Sequence, residues 1–129
     1  MSPLEVLRSF WSAMQENDWD RAVTHLSDDC VVDWPCSGER ISGRDDYARL
    51  QARYPSASGV WSFEVHRLVA DDRSVVSEVT TTDGTQSARA VVISDVEDSH
   101  IVHQVEYWPT AYDALPGRED LTSSITRIP

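Results

Sequence analysis

Glu78, Arg89 and Glu106 lie in runs that otherwise alternate Val, Thr and aromatic residues, and they are the residues of this chain best suited to chemistry. Burying an isolated carboxylate costs several kcal/mol, so charges on an apolar sheet face have to be paired. A Glu–Arg–Glu row meets that need. It also leaves one carboxylate to act as a general base beside a cation that holds a developing oxyanion. The competing reading is an ion-pair network that only braces the sheet. Asp33, which precedes Trp34-Pro35 at the end of an earlier β-like run, is a further candidate. It could serve as a base at a pocket mouth or simply face water at a strand end. Trp11, Trp34, Tyr54, Trp61 and Trp108 are read first as core, although tryptophans gathered near one small core also suit a flat apolar ligand.

Other chemistries find little support. His100 and His103 are three apart across a turn and a strand, which is no same-face spacing. His66 and His103 are expected on a sheet face without neighbouring carboxylates, so no metal site is expected. There is no G-x-S-x-G, no Gly-rich phosphate loop and no supported Cys-His pair, and no cofactor is expected.

The elements that must position these residues follow from periodicity. Leu4 to Gln15 has Val6, Leu7, Phe10, Trp11 and Met14 at helical spacing behind Ser2-Pro3, and Asn17-Asp18 caps a second helix, Trp19 to Leu26. Cys30 to Trp34 reads as a strand stopped by Pro35, Ser37 to Gly43 as a loop, and Asp45 to Tyr54 as a third helix with Tyr47 and Leu50 inward. The period then becomes two, over Val60–Ala70, Ser74–Thr82, Thr85–Val96 and Ile101–Trp108. Helices followed by a four-strand meander indicate an α+β domain.

Two-residue turns at Asp83-Gly84 and Asp98-Ser99 would pair Glu78 with Arg89, Val91 with Glu106, and Arg89 with Trp108. One face then carries Trp61, Phe63, Val76, Val91, Ile93 and Trp108 together with Arg67, Glu78, Arg89, Gln104 and Glu106, and should pack on the helices. The opposite face, with His66, Val75, Ser77, Val79, Ala90, Val92 and His103, suits a sheet-to-sheet dimer interface. A β-bulge would flip part of this pattern.

At 129 residues the chain is expected to be one domain, with a core over about residues 4–112 and an irregular polar tail over 113–129. The net charge is −11 and all 11 basic residues are Arg, a usage that suggests a GC-rich bacterial genome. Such a surface argues against nucleic acid and anionic membranes as partners. No run is long enough to span a bilayer, and the N-terminus lacks a signal-peptide pattern. Cys30 and Cys36 have no zinc-type spacing, so free thiols in the cytoplasm are expected.

Phe10-Trp11 through Asn17-Asp18-Trp19-Asp20, Leu26 through Pro35, Ser42-Gly43-Arg44, and Ile101 through Glu106-Tyr107-Trp108-Pro109 together resemble nuclear transport factor 2-like, SnoaL-like domains, to about Tyr112. The resemblance is strongest to bacterial members with no assigned activity. It implies a cone-shaped α+β barrel of the cystatin-like kind: N-terminal helices packed on a curved, mainly antiparallel sheet, a pocket between them, and a homodimer through the outer sheet face. Ketosteroid isomerases of this group use a first-helix tyrosine, which falls at Phe10, and a strand-end aspartate, which falls at Trp34 or, one residue shifted, at Asp33. The missing hydroxyl argues against that activity. In polyketide cyclases Glu106 or Glu78 could stand for the pocket acid. The carboxylate–arginine–carboxylate set of limonene-1,2-epoxide hydrolases is similar in kind to Glu78–Arg89–Glu106, with Glu in place of Asp. The leading expectation is therefore a cofactor-free and metal-free small-molecule enzyme on an apolar substrate. In it Glu106 is the base, Arg89 the orienter, and Glu78 the second carboxylate. The alternative is a non-catalytic binding module or dimeric scaffold of the same fold.

Overall fold

The computed structural model describes residues 1–121 and 123–128. In chain order they form α1 (Pro3–Gln15), α2 (Trp19–Val23), β1 (Leu26–Trp34), β2 (Glu39–Ser42), α3 (Arg44–Arg53), β3 (Ser62–Ala70), β4 (Ser74–Thr82), β5 (Ser87–Glu97) and β6 (His100–Tyr107). One six-stranded sheet runs β2-β1-β6-β5-β4-β3, with β2 and β3 as its edges. Every neighbouring pair is antiparallel except β1 with β6. Helices packed on a curved, mainly antiparallel sheet make the α+β architecture expected from the sequence. The tail adds one short 3-10 turn, Glu119–Leu121; Thr122 and Pro129 of that tail lie outside the described residues.

The N-terminal helices are set by their caps. Ser2 Oγ accepts from the Glu5 amide at 3.2 Å and Glu5 returns a bond to the Ser2 amide at 3.1 Å, with Pro3 in the first turn. The apolar stripe of α1 then buries Val6, Leu7, Phe10, Trp11, Ala13 and Met14 against the sheet. Asn17 takes the left-handed conformation, φ 56°, that ends α1. Its side-chain amide then does a strand's work: it accepts from the Trp61 amide at 2.9 Å and donates to the Trp61 carbonyl at 2.7 Å. The helix turn thereby grips the chain at Trp61, just ahead of β3.

Four expectations need correction. The segment 37–43 is not all loop, because β2 pairs along β1 from Val31↔Ser42 to Trp34↔Glu39. Its four residues are too few to show a period, and Glu39 and Arg40 give it the charged look of an edge strand. The helix read over Trp19 to Leu26 ends at Val23, and Leu26 already belongs to β1. The hairpin after β4 pairs Thr82 with Ser87, not with Thr85. Asp83 explains it: its carboxylate accepts from the amides of Thr85 and Gln86 at 3.0 and 2.9 Å, which requires a four-residue turn.

The fourth correction concerns faces. The Asp98-Ser99 turn forms as expected, with both φ values positive and Glu97 opposite His100. Two residues later Val96 pairs with Ile101 but Asp95 pairs with His103, leaving Val102 as an extra residue. In β3 the ladder likewise jumps from Val65↔Val79 to Arg67↔Glu78, leaving out His66. Each bulge inverts the strand beyond it. The helix-facing side is therefore Phe63, Leu68, Val75, Ser77, Val79, Thr81, Ala90, Val92, Ser94, Gln104 and Glu106, while Arg67, Glu78, Arg89, Val91 and His103 lie on the outer side.

Candidate functional site

Glu106 is 1% exposed and is the deepest charged side chain of the chain's described residues. Four donors meet it, two on each oxygen. Oε1 accepts from the indole Nε1 of Trp34 at 3.0 Å and of Trp108 at 2.9 Å. Oε2 accepts from the Tyr47 hydroxyl and from Gln104 Nε2, each at 2.7 Å. The donors come from β1, α3, β6 and the segment after β6, so the carboxylate ties the helix to the sheet at one point. Gln104 is held in turn by Ser94, which donates to its Oε1 at 2.7 Å. A buried carboxylate can be tolerated when its oxygens are satisfied in this way. Tyr47 keeps its proton: complete burial, then the negative charge and hydrogen bond of Glu106, push its phenol well above the ordinary value.

Above this cluster opens a cavity of about 840 Å³, within the usual size of ligand pockets. Trp34, Tyr54, Trp61 and Trp108 line it with Phe63, Leu50 and Pro55. Tyr54 stands edge-on between Trp34 and Trp61, with ring centroids 6.0 and 5.8 Å away. Glu106 is not part of the wall. The two indoles that are part of it turn their N–H groups away from the cavity and onto the carboxylate.

The rim is tied down by Asp83, whose carboxylate accepts from the amides of Ala57, Gln86 and Thr85 and stays well below the usual carboxylate range for that reason. One side chain thus joins the loop after α3 to the β4–β5 turn, and both border the opening.

Comparison with known proteins bears on this geometry directly. The model of the SnoaL-like domain matches residues 7–104, about three quarters of the chain. This chain belongs to that family. Among solved structures, a provisionally named ketosteroid isomerase from Kribbella flavida DSM 17836 is 32% identical, with a TM-score of 0.83 over 97% of this chain and 88% of its own. An NTF-2 like protein of unknown function from Burkholderia xenovorans LB400 is 27% identical, TM-score 0.78, over 97% and 94%. An LEH-like epoxide hydrolase from M. tuberculosis, at 24% identity and TM-score 0.66 over 81% and 80%, shares the fold. No curated protein matches the sequence.

In this SnoaL-like protein the expected charged row is divided. Glu106 lies on the helix-packed face, as expected, but Glu78 and Arg89 do not share a site with it: they lie on the outer face, because the bulge at Val102 breaks the register that would have set the three side by side. Outside, Glu78 lies between Arg67 at 3.1 Å and Arg89 at 3.2 Å, and both guanidinium side chains are more than half exposed. Partial burial raises the Glu78 carboxyl, but Arg89 and Arg67 outweigh that and hold it below its ordinary value. Exposed pairs of this kind contribute little to stability, because solvent and salt screen them. Asp33 also points outward, and is held well below the usual range by Arg40, at 2.6 and 3.0 Å, and by His103 at 3.0 Å. Against expectation, His103 therefore has carboxylates beside it, with Asp95 at 3.9 Å on its other nitrogen. Trp11 is core, not cavity wall: it is 4% exposed and donates to Ser77 Oγ at 2.9 Å. Trp34, Tyr54, Trp61 and Trp108 do gather around the cavity.

Tyr47 and Gln104 were visible in the sequence as inward residues but not as partners of Glu106. Gln104, two residues before Glu106 on one strand, carried the signal through its shared face. Tyr47 carried none, since only the packing of α3 against β1 and β2 brings it there. Both cysteines are free thiols; burial, then Asp29 and Glu106, push the Cys30 thiol up to about 12, whereas Cys36 is exposed at the cavity mouth.

Proposed function

We propose that this SnoaL-like protein binds a flat apolar small molecule among Trp34, Tyr54, Trp61 and Trp108, as a homodimer joined through the outer sheet face. The observation that carries this reading is the convergence of four rings from separate segments on one cavity, with two of the indoles locked by a buried carboxylate. Holding the wall rigid before binding reduces the ordering cost of taking up a ligand. The dimer rests on Val69, Val76, Val91 and Tyr107, all exposed on the outer face. No helix among the described residues is long and apolar enough to cross a membrane, and the free thiols suit a reducing compartment such as the cytoplasm.

Cofactor-independent acid/base chemistry is the second reading. It is favoured by the one buried carboxylate immediately behind the aromatic wall, and by relatives whose names include an isomerase and an epoxide hydrolase. Here Glu106 takes a proton from the substrate once an indole N–H yields its place, and Tyr47 and Gln104 continue to hold the other oxygen. A single experiment separates the two. The protein is incubated with 1-tetralone in D₂O and followed by NMR. Binding without chemistry shows as broadening of the tetralone signals with the carbon-bound protons next to the carbonyl intact. Accelerated deuterium uptake at those protons, lost in Glu106→Gln, supports the base. No broadening and no uptake would refute both readings.

A further inference from the structure

Among the described residues, six polar or charged side chains are buried: Ser77, Thr81, Asp83, Ser94, Gln104 and Glu106. Five have partners. Ser77 accepts from Trp11, Ser94 donates to Gln104, Gln104 donates to Glu106, Glu106 accepts from four donors, and Asp83 accepts from the turn amides. Thr81 is the exception. It is 6% exposed, and its Oγ1 has no hydrogen-bond partner among the described residues.

Its position gives the exception meaning. Thr81 is on the inner face of β4, across from Phe63 of β3 and Ala88 of β5, and all three line the aromatic cavity. The indole N–H groups of Trp34 and Trp108 are already engaged by Glu106. Of the other polar side chains around the cavity, Gln51 of α3 is half-buried and Glu39, Arg53 and Gln86 are exposed at its rim, so none of these four belongs to the fully buried wall. The buried wall therefore offers the Thr81 hydroxyl as its uncommitted polar group, shut off from water in the unliganded rotamer and turned to the cavity by rotation about χ1, where it both donates and accepts. A buried hydroxyl without a partner is costly, and whatever supplies that partner recovers the cost.

We infer that Thr81 is the polar anchor of the cavity, and that the ligand is a flat apolar ring system carrying a hydrogen-bonding oxygen, a ketone or a hydroxyl, at the end that meets β4. The inference rests on the small-molecule reading above and specifies the class of ligand for the same cavity. A ketone oxygen accepts from Thr81 Oγ1, whereas a ligand hydroxyl can donate to it.

The test compares 1-tetralone with tetralin, the same ring system without the oxygen, by calorimetry on the wild-type protein, Thr81→Val and Thr81→Ser. Valine keeps the branched shape and removes the hydroxyl. Thr81→Val is expected to lose about tenfold in tetralone affinity and to leave tetralin unchanged, while Thr81→Ser keeps the wild-type ratio. The melting temperature of Thr81→Val without ligand should hold or rise, because an unpaired polar group has been removed. A wild-type ratio of the two affinities that persists in Thr81→Val overturns the anchor and leaves the pocket reading standing. A marked fall in melting temperature for Thr81→Val also overturns it, since the hydroxyl would then have a partner within the protein. Failure of the wild type to bind either compound overturns this inference together with the pocket reading.

Discussion

Glu106 shows how far one side chain can organise a small domain. Removing the carboxylate from water is expensive, and two indoles, a phenol and an amide replace the hydration it loses. The arrangement is matched to an acceptor-only group. Glu106→Gln replaces one oxygen with a donor, so that at least one neighbouring donor is left facing an N–H. Each buried group stranded in that way costs about 1–3 kcal/mol. We expect a loss of at least about 2 kcal/mol in urea unfolding, with a red shift of tryptophan emission as Trp34 and Trp108 lose their anchor. An unchanged unfolding midpoint would mean that the cluster contributes little to holding the fold.

At the scale of elements, two bulges and one turn decide what the sheet presents. The extra residues Val102 and His66 each invert half a strand, so that Glu106 lies inside while Arg67 lies outside with Glu78 and Arg89. The four-residue turn at 83–86 lets Asp83 join two rim segments. Its folded-state pKa is depressed, so its contribution to stability is complete above the unfolded value, about 3.9, and is lost as pH falls through the lower folded value. Asp33 behaves in the same sense through Arg40 and His103. Melting temperature should therefore fall steeply on acidification below about pH 4. Asp83→Asn should be less stable at pH 7 and show a shallower acid decline, measured as melting temperature from pH 7 to pH 2. Parallel curves for variant and wild type would show that the turn does not depend on this carboxylate.

The molecule as a whole has a helix-covered inner face and an outer face that mixes Val69, Val76, Val91 and Tyr107 with the Arg67–Glu78–Arg89 row. Two sheets packed face to face would cover those apolar side chains. Each chain carries −11, so a pair carries −22, and repulsion between the copies should weaken as salt screens it. We expect sedimentation equilibrium to show a dimer that tightens from 50 to 300 mM NaCl, and Val91→Asp to give a monomer that still takes up ligand. A wild type that sediments as a monomer at both salt concentrations would refute the proposed interface.

Much of this protein is legible in one dimension because the responsible forces are local. The apolar stripe from Val6 to Met14 can be buried only as a helix face, Ser2-Pro3 starts it, and period-two runs separated by Asp-rich turns can only be strands. The aromatic wall of Trp34, Tyr54, Trp61 and Trp108 was likewise among the residues singled out by type. Which charges reach that wall was not legible. The face of every residue beyond a bulge depends on one uncounted residue, and neither His66 nor Val102 differs in kind from its neighbours. Glu106 and Gln104 were legible as inward, on the face expected to pack on the helices; only the folded sheet, with α3 packed beside β1, determined that Tyr47 joins them while Glu78 and Arg89 lie outside. The reason is energetic: desolvating a carboxylate requires partners from several elements at once, and those exist only when the chain has folded.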